Sequence, residues 1–145
     1  FNWSRIIFSP EEHPTAWDVL ERIKRLITEE PLRIKMKGFL HLRVNEETLP
    51  SSTSYPRCGA VGCVSGWAAI VTGRFKESNM FSGLRLTDKQ KMELYYPEWY
   101  LEVSQQTPAH ARKVVEHISA FQQKYERQLK DFHVRVGSAI PRSAE

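Results

Sequence analysis

Two stretches of the chain repeat apolar residues at helical spacing, and this constrains the fold more than any other feature. In the first, Ala16, Val19, Leu20, Ile23, Leu26 and Ile27 recur every three or four positions, while Asp18, Glu21, Arg22, Lys24 and Arg25 fill the places between. In the second, Ala111, Val114, Val115, Ile118, Phe121, Tyr125, Leu129 and Phe132 keep the same rhythm for about six turns. Residues spaced in this way share one face of a helix, and that face has to be covered by another element. Helix packed on helix is the architecture that follows.

Capping residues bound these helices. The first is expected to begin near His13-Pro14-Thr15, with Ser9 to Glu12 as an alternative earlier start, and to end before Pro31. Thr87 with Gln90 three positions later forms a capping box, so a short helix should run to Tyr96 and stop at Pro97. Thr107-Pro108 opens the longest helix, expected over 108–133.

Between Leu32 and Val44 the period falls to two. Leu32, Ile34, Met36, Leu40, Leu42 and Val44 alternate with Arg33, Lys35, Lys37, Phe39, His41 and Arg43, which predicts an extended segment with its cations turned to solvent. Gly38 is placed to fold the run into two short strands. The fold class expected is therefore mainly α (α+β): a compact helical domain with a central small-residue helix and a small β-hairpin or strand near 32–44. A single globular domain over 1–136 is expected, with a frayed tail over 137–145.

That central helix is read from residues 58–69, CGAVGCVSGWAA, which hold both cysteines and three of the seven glycines. A helix is predicted from about Gly59 to Thr72, with Gly73 as its left-handed cap. Each interior glycine costs up to about 1 kcal/mol against alanine, so so many small residues want a compensating gain. Close approach of a neighbouring backbone is one. Binding of a ligand group by the helix-start amides of Cys58, Gly59, Ala60 and Val61 is another.

Known chemical patterns are excluded more readily than assigned. The stretch lacks both the glycine pattern and the lysine of a phosphate loop, and Ser65, with Gly66 immediately after it and Cys63 two before, lacks the G-x-S-x-G spacing of a nucleophile elbow. Cys58 and Cys63 stand five apart, outside the usual zinc spacing, and His110 and His117 are separated by ~10 Å of helical rise. No metal and no cofactor are expected. Cys58 beside Arg57 at a helix start leaves a stabilised thiolate open as a question.

The chain carries 21 basic and 17 acidic residues, and its excess of four equals Arg33, Lys35, Lys37 and Arg43. With Phe39 and His41 among them, these residues make a possible phosphate track with a stacking ring. Tyr95, Tyr96, Trp99 and Tyr100 crowd into YYPEWY and form a candidate interface. No apolar run approaches the ~18 residues needed to cross a bilayer, and two cysteines make no disulfide framework. A cytoplasmic protein without membrane attachment, monomeric or homodimeric, is the expectation.

With C-G-x-x-G-C-x-x-G-W-A in view, the chain resembles a family of small bacterial and phage proteins marked by C-G-[TS]-x-x-C-[ILV]-[AS]-G-[WH]-A. Here the pattern is carried by Cys58, Gly59, Ala60, Cys63, Val64, Ser65, Gly66, Trp67 and Ala68, with Ala60 standing where the family has a hydroxyl residue. Pro31, Ile34 and Met36 before it, and Leu86 to Trp99 after it, are also similar, so the likeness spans roughly residues 15 to 125. It implies kinship and no activity. The functional expectation is a non-enzymatic binding or regulatory protein, of phage or mobile-element origin, acting on a protein or small-ligand partner. Nucleic-acid binding through 33–43 and a thiol-dependent enzyme using Cys58 are the alternatives.

Overall fold

Thr15 opens the first helix by closing its own hydrogen-bond box: its hydroxyl accepts from the Asp18 N–H at 3.1 Å, and its N–H donates to Asp18 Oδ2 at 2.9 Å. The computed structural model describes residues 5–34, 36, 40–41, 61–74, 81–100 and 107–137, which are mainly helical. Helix α1 spans Ala16–Glu29 and buries Ala16, Val19, Leu20, Ile23, Leu26 and Ile27, the stripe read from its spacing. Each large side chain among them contributes roughly 1.5–3 kcal/mol of gross stabilisation on burial.

Strand β1 (Leu40–His41) pairs antiparallel with β2 (Val61–Gly62), Leu40 opposite Gly62 and His41 opposite Val61. Helix α2 follows over Val64–Val71, then α3 over Asp88–Tyr95, α4 over Pro108–Lys124 and α5 over Glu126–Asp131. Every residue of α2 is buried, as befits a helix apolar on all sides. Helix α1 packs against α2, α4 and α5, and α3 closes on α2 and α4.

Both ends of the described chain return to the end of α2, whose last carbonyls need donors. Phe8 N–H donates to Val71 O at 2.8 Å, and Gly137 N–H donates to Thr72 O at 2.7 Å. Gly73, at φ 70°, provides the left-handed turn between them. Gly137 opens the tail expected over 137–145, of which residues 138–145 lie outside the described residues. Near the other end of α1, Ala16 N–H donates to Phe132 O and Val134 N–H to Pro14 O, so residues 132–134 run as a short antiparallel rail beside 14–16.

Three expectations are corrected. Helix α2 starts at Val64 rather than near Gly59, because the Cys63 sulfur takes the capping position and accepts from the Gly66 N–H at 3.4 Å. The extended run expected from Leu32 begins instead as a 3-10 turn over Pro31–Arg33. The helix expected over 108–133 breaks at Tyr125, whose hydroxyl is drawn to Glu93 Oε1 on α3 at 2.7 Å. A fold of 32–44 about Gly38 lies largely outside the described residues.

Candidate functional site

A cleft opens where the segment before α1 folds back along that helix. Ile7 and Phe8 are buried in the core, and the Phe8 N–H is held by α2, so residues 5–8 are fixed beside α1. Arg22 latches them there. Its Nη1 donates to Ile6 O at 3.1 Å, its guanidinium carbon stands 3.8 Å above the centre of the Phe8 ring, and its Nη2 lies 3.7 Å from Glu12 Oε1. Glu12 is itself fixed, its other oxygen accepting from the Ser9 N–H at 2.7 Å. Burial pulls the Arg22 guanidinium below its ordinary pKa, with Glu12 opposing that pull and Arg25 adding to it. It stays charged at neutral pH all the same.

The resulting concavity measures about 130 Å³ and is lined by Arg5, Ile6, Arg22, Arg25, Leu26, Glu29 and Glu30. Arg22, Arg25, Leu26 and Glu29 fall at positions i, i+3, i+4 and i+7 of α1, which is why one helix contributes them all to one wall. Leu26 and Ile6 give that wall an apolar part. Arg33 holds Glu30 through Nε at 3.2 Å. Among the described residues, Arg5, Arg25 and Glu29 have neither a hydrogen bond nor an ion pair from their side chains. A few fixed charges around a small preformed hollow suit the capture of a small polar ligand.

None of the residues singled out from sequence lies in this cleft except through its neighbours. Cys58, Gly59 and Ala60 fall outside the described residues, and Val61 belongs to β2, three residues before α2 begins, so it is not at a helix start. Lys35, Lys37, Phe39 and Arg43 also lie outside, and of His41 only the backbone pairing is described. Arg33 is corrected from a solvent-facing cation to a residue 8% exposed: its side chain is salt-bridged to Glu30, and its own carbonyl accepts from the Trp67 indole at 2.8 Å.

The aromatic group divides. Tyr95 is 2% exposed and its hydroxyl donates to Phe81 O at 3.0 Å, so it is a core residue and no interface residue. Burial drives its phenol pKa far above neutrality. Tyr96 and Tyr100 meet edge to face at 5.1 Å, and Trp99 lies edge-on to His110 and His117 of α4, at 5.9 and 5.5 Å, beneath the Lys113 ammonium. These three rings fold over α4 as a partly buried cover.

Cys63 is buried, and burial pushes its thiol from the ordinary 9.0 up to about 11, against the opposing pull of the Gly66 N–H. A thiol so placed holds about a hundredfold less thiolate at neutral pH. In a Cys58→Ser background, Cys63 should therefore react with iodoacetamide at pH 7.4 at least about a hundredfold more slowly than free cysteine; a rate near that of the free thiol would show that the cap is open.

The cleft was missed in the sequence because its signal is spread over two segments. The stripe Arg22, Arg25, Leu26, Glu29 and the acidic end of α1 were both legible, but nothing local brings Arg5 and Ile6 to them. Among the described residues there is no group of three or more His, Cys, Asp or Glu arranged to hold a metal, and no helix long and apolar enough to cross a membrane. Set beside family models, curated proteins and solved structures, the chain matches none.

Proposed function

We propose that the protein is a non-enzymatic binding protein, akin to small bacterial and phage proteins, that takes a small ligand in the cleft between Arg5-Ile6 and the second half of α1. One observation carries this reading: Arg5, Arg25 and Glu29, all without partners among the described residues, line one preformed hollow. All three are exposed to solvent, and a concave wall offers such charges together to one small molecule, as a convex surface does not. The volume of about 130 Å³ lies well under the ~300–1,000 Å³ of sites for drug-sized molecules, so the ligand is small.

Support also comes from how the cleft is held. Arg22 spends its guanidinium on Ile6 O, Phe8 and Glu12, a structural duty that fixes the wall before any ligand arrives. Preorganisation of this kind lowers the ordering cost of binding. The test is a screen of small polar fragments followed through the backbone amide signals of the labelled protein. Saturable shifts confined to residues 5–6 and 22–30 are expected. Hits that move only the amides around Tyr96–Tyr100, or none at all, would refute the reading.

A further inference from the structure

The charges of the cleft are ordered along α1. Arg22 and Arg25 come first and Glu29 and Glu30 last, with about 6 Å of rise from Arg25 to Glu29. The acidic end coincides with the C-terminus of α1, where the helix already presents negative partial charge and where its last turn carries no basic residue. Acidic side chains there run against the helix dipole, a cost of roughly 0.3–1 kcal/mol each unless a cation answers them. Arg33 answers Glu30. Among the described residues, nothing answers Glu29.

The basic end has the complementary surplus. Arg22 is committed to Ile6 O and Glu12, but Arg5 and Arg25 have no carboxylate, although both line the same hollow. Arg25 and Glu29 do not pair with each other. They stand i to i+4 with the base first, the weaker of the two orders because it opposes the helix dipole. Two cations and one anion without partners among the described residues thus line one hollow together with the apolar Ile6 and Leu26. Arginine presents a planar fork that matches a carboxylate, and a carboxylate group at the helix end matches an ammonium.

From this order, and resting on the reading that the cleft is the binding site, we infer that the ligand is a small amino carboxylate, its carboxylate set against Arg5 and Arg25 and its ammonium against Glu29 and the end of α1. The hollow, at about 130 Å³, admits a molecule of that size. A larger oxyanion carrying two negative charges would face the repulsion of Glu29 and the helix end without a cation of its own.

Three probes separate the parts: β-alanine, propionate and propylamine, each titrated into the labelled protein at low salt and read at the amides of 5–6 and 22–30. β-Alanine is expected to bind at least tenfold more tightly than either single-charge probe. Arg25→Gln should lower its affinity to that of propylamine, and Glu29→Gln to that of propionate. Both side chains are exposed and make no hydrogen bond or ion pair among the described residues, so neither variant should lower the melting temperature, and Glu29→Gln should raise it slightly by lifting a charge from the helix end; a weaker affinity then reports binding and not folding.

Equal affinity for β-alanine and propionate, or an unchanged β-alanine affinity in Glu29→Gln, would overturn the inference while leaving the cleft as a binding site. If none of the three probes moves the cleft amides but other fragments do, the amino carboxylate is wrong and the cleft still stands. No response there to any fragment refutes both.

Discussion

Trp67→Ala should cost about 3–5 kcal/mol of stability, the largest loss expected from any single change in the helices around the core. The indole is fully buried at the middle of α2, and its Nε1–H donates to the Arg33 carbonyl at 2.8 Å, so the residue both fills the centre and ties α2 to the turn that follows α1. Truncation leaves a large cavity between helices that pack on α2 and relax only in part. Against a total stability of roughly 5–15 kcal/mol, such a loss brings the fold near its limit and lowers Tm by on the order of 10 °C or more. Trp67→Phe keeps most of the ring but withdraws the donor, at about 1–3 kcal/mol. Urea unfolding of both variants measures the two parts separately. A cost under 1 kcal/mol for Trp67→Ala would contradict the central place of α2.

The second large effect concerns Phe81, which is held at both of its backbone groups. Its N–H donates to Ser65 Oγ at 2.8 Å, and its carbonyl accepts from the Tyr95 hydroxyl at 3.0 Å, while its ring is wholly buried. Ser65→Ala leaves a buried N–H without that acceptor, and Tyr95→Phe leaves a buried carbonyl without that donor, each costing about 1–3 kcal/mol. The two groups belong to one peptide segment clamped between α2 and α3, so the double variant should lose less than the sum of the single losses. Strict additivity in a double-mutant cycle would mean that the clamp does not act as a unit. Neutral single substitutions would mean that water reaches Phe81.

Local chemistry was the legible part of this fold. Thr87 and Thr107 each accept the hydrogen bond of a backbone N–H three residues on, as read from the sequence, and Thr15 does the same at the start of α1, one residue beyond the Pro14 expected in its first turn, because a cap is settled within one turn. Gly73 takes the left-handed conformation for the same reason. The buried stripe of α1 agrees residue for residue with the apolar positions of the sequence.

What was misread depends on contacts distant in the chain. The alternation from Leu32 to Val44 looked like a strand, yet Pro31 follows the end of α1 directly and the Arg33 carbonyl is claimed by Trp67, thirty-four residues later. Arg33 is drawn inward with it. The glycine-rich stretch looked helical from Gly59, but the helix begins only after Gly62, so Gly66 alone pays the cost of glycine inside α2. Tyr125 continued the apolar rhythm of α4, and only its hydroxyl contact with Glu93 marks where the helix breaks. The cleft needed the most distant information, since its two walls are joined by Arg22 reaching back sixteen residues to Ile6.

The most direct measurement is a crystal structure of the protein soaked in β-alanine. One molecule is expected in the hollow beside Ile6 and Leu26, its carboxylate within hydrogen-bond reach of Arg5 and Arg25 and its ammonium turned to Glu29. Density there with the opposite orientation would contradict the ligand class, and an empty cleft with the molecule bound elsewhere on the surface would contradict the site.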